Sequence, residues 1–204
     1  MEGLGQDAAQ IPLWLKLGYS AGLAIILATY WRKYGPQNFL WFSDIALIVT
    51  AVALWREDAF LASMMAVGVL LPELLWNVDF FARLLLRARL VGLSGYMFER
   101  GRPLFLRLLS LFHVVLPALL LWLVATLGYY ERAWIAQVLL AWVVLPLTYA
   151  VTDPDRNINW VFGPGENPQH KLPARVYLAL VMLAFPLLVF LPTHLALRIL
   201  FGSG

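Results

Sequence analysis

"NFLWFSDIALIVTAVALW", residues 38 to 55, reads as a membrane-spanning helix interrupted by Ser43 and Asp44. A helix rises about 1.5 Å per residue, so crossing roughly 30 Å of hydrocarbon takes about 20 apolar residues. Working outward, comparable stretches occupy residues 12–31, 59–83, 104–126, 134–151 and 175–200. Together these six segments account for most of a 204-residue chain that is 62% hydrophobic and 13% charged, with a mean hydropathy of +0.76. The apolar runs are continuous and Leu-rich, without the short alternating strands of a membrane β-barrel. The expected architecture is all-α: a polytopic transmembrane helical bundle of about six spans. Residues 1–204 then form a single integral membrane domain, with no soluble domain and no internal repeat.

Two connections are longer than the rest. Residues 84–103 are rich in Arg and Gly, and 152–174, "TDPDRNINWVFGPGENPQHKLP" onward, carry the Pro, Gly and Asn that break helices. Across the six spans, Lys16, Arg56, Arg132 and Arg198 fall on one side. The other 11 of the 15 basic residues, including Arg32, Arg83, Arg87, Arg107, Arg156 and Lys171, fall on the opposite side. The positive-inside rule therefore predicts a cell-membrane protein with both long loops in the cytoplasm and both termini outside. Trp31, Trp41, Trp55, Tyr129 and Tyr130 sit near span ends, as interfacial anchors do. The N-terminal "MEGLGQDAAQ" has two acids and no basic residue, so a cleaved signal peptide is not expected and the first helix is retained. The net charge of +3 is spread over short loops, which suits anionic headgroups and not nucleic acid. The chain has no cysteine, which removes thiolate metal sites and a thiol nucleophile.

Ionisable groups inside spans cost about 2.5–3.5 kcal/mol each on insertion scales, so they turn inward and take partners. Here they are Asp44, Glu73, Asp79, Arg107, His113 and His194. Ser43 and Asp44 fall about five or six residues into the second span and His113 about nine into the fourth, depths of about 8–9 Å and 14 Å from the same side. His194 lies near the opposite end. In the third span, Glu73, Trp76, Asn77 and Phe80 share a face at helical spacing, while Asp79 and Arg83 are spaced as an i, i+4 ion pair. Pro72 deprives the preceding turn of a hydrogen bond and predicts a kink that opens a polar pocket beside Glu73. His113 has Ser110 one turn before it and Pro117 one turn after. Imidazole titrates near neutral pH and suits a general base. Ser43 is the hydroxyl it would activate, with Asp44, Glu73 or Asp79 orienting the ring.

The order "FSDIALIVTAVAL", "GVLLPELLWNVDF", "RLLSLFHVVLP", "NINWVFGPGENPQ", across about residues 38–170, resembles the YwaF-like bacterial six-helix integral membrane family. That family is distantly similar to the androgen-induced-protein-like membrane hydrolases and to a plasmalogen-forming acyltransferase. The resemblance implies six helices and lipid acyl-ester chemistry, with a nucleophile on one helix and a histidine on another. The family's cysteine–aspartate pair falls on Ser43 and Asp44, a departure in the nucleophile. Its histidine falls on His113 and its asparagine–tryptophan loop on Asn159 and Trp160.

The leading expectation is a lipid acyl hydrolase or acyltransferase opening to the cytoplasmic leaflet. Its catalytic set is Ser43, His113, Asp44 and Glu73. Substrate contacts are expected from Asn77, Arg107, Asn157, Asn159 and Trp160, with the loop 156–170 covering the site and an asparagine available for the oxyanion. Membrane lipids are the expected partners, and no cofactor or metal is expected, since histidine pairs at i, i+4 are absent. One alternative is a proton- or ion-coupled small transporter or channel using Asp44, Glu73 and His113 as a relay. Another is a non-catalytic subunit or scaffold whose polar residues grip other membrane chains.

Overall fold

The computed structural model describes residues 10–165 and 167–202. The first nine residues, on which the signal-peptide expectation rests, and Glu166 of the covering loop lie outside them. Among the described residues the regular structure is helical, without strands. The main helices are α1 (Leu13–Tyr34), α2 (Phe42–Arg56), α3 (Ala59–Leu86), α4 (Leu104–Leu127), α5 (Ala133–Val151) and α6 (Ala174–Phe201). All but α2 are long and apolar enough to cross a membrane.

Local chemistry sets where these helices stop. Gly35 at φ 77° and Gly128 at φ 88° end α1 and α4 in a backbone region costly for other residues. Asp58 caps α3 by accepting from the Leu61 amide at 3.0 Å. The observed boundaries lie within about three residues of the sequence expectation except at the start of α2, which begins at Phe42 instead of 38. The cause is Pro36, which opens a separate 3-10 turn (Pro36–Leu40), followed by Trp41 in an extended conformation (φ −59°, ψ 135°). As a helix of 15 residues, α2 rises only about 22 Å.

Successive helices run between two ends of the bundle, and the loop contacts identify both. At one end Arg156 donates to the Tyr34 carbonyl (2.9 Å) and to Gln37 Oε1 (2.8 Å), tying the loop after α5 to the loop after α1. At the other, Glu57 accepts from Lys16 Nζ (2.7 Å) and the Gln10 amide (2.8 Å), Tyr130 N–H donates to Ser63 Oγ (2.9 Å), and Arg198 pairs with Glu131 (3.2 Å). The 11 basic residues therefore gather at one end and the remaining four at the other.

The central helix is α3, which packs against α2, α4, α5 and α6. Its Ala62, Met65, Ala66, Val67, Val69 and Leu70 are almost completely enclosed. Gly68 lets the buried Gln137 of α5 approach closely, since a Cβ there would stand 2.5 Å from Gln137 Nε2. Outward faces keep Leu75, Leu85, Leu139, Leu188 and Ile199 about half exposed or more. Such an apolar surface belongs in hydrocarbon, and the protein is a helical membrane bundle.

Of the expected aromatic anchors, Trp31, Trp55 and Tyr130 are exposed, but Tyr129 is not an anchor: it is buried, and its hydroxyl lies 2.7 Å from His194 Nδ1. Burial, with the nearby Glu131 charge, pushes the Tyr129 phenol up to about 12.

Candidate functional site

The third and fourth spans meet at Glu73 and His113. His113 Nδ1 lies 2.8 Å and 3.0 Å from the two Glu73 carboxylate oxygens. If the carboxylate is ionised it only accepts hydrogen bonds, in which case Nδ1 is the donor and Nε2 of a neutral ring keeps its lone pair. Glu73 is 3% exposed, and the indole of Trp76 stacks on the imidazole with centroids 4.8 Å apart. Carboxylate and indole together fix the ring's orientation.

The backbone around the pair follows from the prolines. Pro117 has no N–H, so the carbonyl of His113, four residues earlier, loses its helical partner. Asn77 Nδ2 of α3 fills that vacancy at 2.7 Å and also reaches the Glu73 carbonyl at 2.8 Å. Asn77 thus braces the two helices that carry the pair. One turn before His113, α4 is interrupted between Leu109 and Phe112. Ser110 at this break donates to the Leu106 carbonyl (3.1 Å), so the Tyr30 hydroxyl donates to Ser110 Oγ (3.1 Å). Tyr96 packs against Trp76 at 6.4 Å and completes the aromatic lining.

From α2, Asp44 lies within electrostatic range of both His113 and Glu73. Its Oδ2 accepts from Asn38 Nδ2 at 3.1 Å, whereas Oδ1 is buried without a hydrogen-bond partner. Because α2 starts at Phe42, Ser43 and Asp44 occupy its first turn instead of lying five or six residues in. There unpaired amides and the positive end of the helix dipole favour a carboxylate. Ser43 is half-buried, and no hydrogen bond joins it to His113, whose ring is held by Glu73.

Several expected contacts have other duties. Asp79 forms no ion pair with Arg83. Its Oδ1 accepts from the amides of Val91 (2.8 Å) and Gly92 (2.9 Å), and its Oδ2 from the Ser94 amide (2.9 Å) and hydroxyl (2.6 Å). Four donors from a loop outcompete one flexible guanidinium, and Arg83 instead lies 4.7 Å over the Phe98 ring. Asn157 is folded into its own loop, donating to the carbonyls of Gly163 (2.7 Å) and Gly165 (2.8 Å) and accepting from Phe162 N–H (2.9 Å). Asn159 clasps the start of α2: Nδ2 donates to the Leu40 carbonyl (2.7 Å) and Oδ1 accepts from Phe42 N–H (3.1 Å). Asn157 therefore spends both amide hydrogens on backbone and leaves none for an oxyanion, whereas Asn159 spends one of its two on the Leu40 carbonyl. Asn157, Asn159 and Trp160 all have left-handed backbones (φ 38°, 51° and 58°), and Trp160 is 39% exposed. Arg107 stands near the end of the bundle, donating to the Met97 carbonyl at 3.3 Å.

Among the described residues, no three His, Cys, Asp or Glu side chains converge closely enough to hold a metal ion. The structure thus brings together Glu73, His113, Trp76 and Asn77, with Asp44 close by. Tyr30, Asn38 and Tyr96 join the cluster without a sequence motif to announce them. Compared with protein families, curated proteins and solved structures, the chain matches none.

Proposed function

We propose that this protein is a membrane-embedded lipid acyl hydrolase or acyltransferase in which His113, oriented by Glu73, is the general base. The observation that carries the proposal is the Glu73–His113 pair, with both carboxylate oxygens on Nδ1 and Nε2 left for a substrate proton. A carboxylate that orients an imidazole inside an apolar bundle is the arrangement that activates a hydroxyl. Ser43, adjacent to Asp44 in the first turn of α2, is the proposed nucleophile. Its hydroxyl would attack the ester carbonyl carbon, passing its proton to His113 Nε2, and the imidazolium would return that proton to the departing lipid alkoxide. Water or a second lipid alcohol would then release the acyl group from serine. The resemblance to the YwaF-like proteins supports the same chemistry, with serine standing where that family has cysteine. The 11-to-4 distribution of basic residues supports an orientation in the cell membrane with the Arg-rich end cytoplasmic, so substrate would enter from that leaflet.

The test is turnover of a fluorogenic phospholipid by purified protein in mixed micelles, together with fluorophosphonate labelling. His113→Ala and Glu73→Gln should each lower turnover by about 10²-fold or more, and Ser43→Ala should abolish labelling. Undiminished turnover in His113→Ala refutes the assignment. Retained turnover in Ser43→Ala with loss in His113→Ala transfers the attack from serine to a His113-activated water.

A proton relay is the second reading, favoured by the unpartnered Asp44 Oδ1 within electrostatic range of His113 and Glu73. Proton flux into proteoliposomes, lost in Asp44→Asn and unaccompanied by lipid hydrolysis, would replace the enzyme reading with this one.

A further inference from the structure

A cavity of about 320 Å³ lies at the Arg-rich end, between the last turns of α3 and the start of α4. Its walls include Phe80, Leu84, Phe98, Leu104 and Leu108, with Arg107 as its one charged group. Leu84, Leu104 and Leu108 are 52%, 62% and 53% exposed, so the cavity opens sideways toward the bilayer.

Among the described residues, Arg107 is a cation without an anion. Its Nε is buried and unpartnered, and its Nη1 makes only the 3.3 Å bond to the Met97 carbonyl. The nearby acids have other partners: Glu73 holds His113, Asp79 holds the 91–94 loop, and Glu99 pairs with Arg102 at 3.3 Å. A guanidinium at the membrane boundary is expensive unless an anion accepts from it, and its planar fork matches a phosphate. The residues beside it are hydrocarbon walls, which suit an acyl chain.

We propose that this cavity binds an anionic phospholipid of the bilayer, with its phosphate on the Arg107 guanidinium and one acyl chain along Phe80, Leu84 and Leu108. The site is independent of the acid–base reading, since it requires no reaction. Phe80 nonetheless adjoins both regions, stacking on Trp76 at 5.1 Å, which in turn stacks on His113.

Native mass spectrometry of the detergent-solubilised full chain tests the proposal, with phosphatidylglycerol, diacylglycerol of the same acyl composition, and inorganic phosphate as probes. Phosphatidylglycerol should be retained about tenfold more strongly than diacylglycerol, and phosphate should not displace it. Arg107→Gln should erase that preference, whereas Arg87→Gln, in the neighbouring loop, should keep it. Leu108→Trp, which fills the cavity from its lipid side with Arg107 intact, should also lower retention and decides the matter if Arg107→Gln does not fold. Equal retention of the two lipids, undiminished phosphatidylglycerol binding in Leu108→Trp or in folded Arg107→Gln, or displacement by phosphate overturns the proposal. Loss of lipid hydrolysis with binding intact would touch only the catalytic reading.

Discussion

Replacing Asn77 by leucine should destabilise the bundle through one carbonyl. Asn77 Nδ2 donates to the His113 carbonyl at 2.7 Å, and that carbonyl lacks its i+4 helical donor because residue 117 is a proline. The second bond of Asn77, to the Glu73 carbonyl at 2.8 Å, is supplementary, since that carbonyl is the ordinary acceptor for the helix's own amide at 77. Leucine preserves volume and removes the donor, so the cost is that of one orphaned carbonyl. Burying an unsatisfied polar group costs about 1–3 kcal/mol, while polar contacts between membrane helices average about 0.6 kcal/mol and reach about 1.7. The expected loss lies where these ranges overlap, about 1–1.5 kcal/mol. Pro117→Ala supplies the missing N–H, so in that background Asn77→Leu should cost less than about 0.5 kcal/mol, a coupling of roughly 1 kcal/mol. Equilibrium unfolding of all four proteins in mixed dodecyl sulfate micelles measures the cycle. Costs that add within about 0.3 kcal/mol would refute the pairing of asparagine with the proline-freed carbonyl.

Asp79→Asn weakens four bonds to the 91–94 loop and should cost about 2–3 kcal/mol in the same assay, with faster proteolysis of that loop. Arg83→Gln, which breaks no ion pair, should cost under about 1 kcal/mol. Gly68→Ala places a Cβ 2.5 Å from the buried Gln137 amide and should cost about 1–3 kcal/mol, recovered in part by adding Gln137→Ala; no recovery would show that another contact limits the site. Glu57, in the turn between α2 and α3, has its carboxyl held below the ordinary value by the hydrogen bond from Lys16 and then by the Gln10 amide. A depressed folded-state pKa gives stability that is complete above the ordinary glutamate value and lost as pH falls through the folded one. Thermal unfolding between pH 3 and 7 should therefore show an acid limb that Glu57→Gln flattens.

The helices were legible because hydrocarbon imposes length and continuity on sequence. Five of them begin and end close to where apolar runs meet Pro, Gly or charge. The start of α2 was not, because the apolar run 39–42 continues the pattern while Pro36 and Trp41 have already set the backbone outside a helix. That displacement changes the meaning of Ser43 and Asp44: in a first turn a carboxylate is a dipole partner as well as a site candidate. The Glu73–His113 pairing was foreseen only as one of three choices, since spacing within α3 shows which residues share a face but not which neighbour they meet. Asp79 was misassigned for a related reason. Arg83 stands at the right helical spacing, but the donors that win come from a loop whose path the sequence does not reveal. Asn157 and Asn159 were visible as a motif, but their service to backbone depends on a left-handed loop folding against the start of α2.

Two of the bundle's prolines, at 117 and 186, explain why some polar residues in the spans need no catalytic role. Pro186 frees the Met182 carbonyl as Pro117 frees that of His113, and the indole of Trp142 on α5 donates to it at 3.0 Å. In each case a side chain from the adjacent helix supplies the bond that proline removed, which hydrocarbon cannot do. Asn77 and Trp142 are thereby accounted for as structural donors. Glu73 and His113 are not accounted for in this way: a buried carboxylate and imidazole satisfy each other, but two apolar residues would fill the same space without desolvating a charge. The cost of keeping this pair, and the Nε2 it leaves open, is the physical reason to look for chemistry there and not at the other polar residues of the bundle.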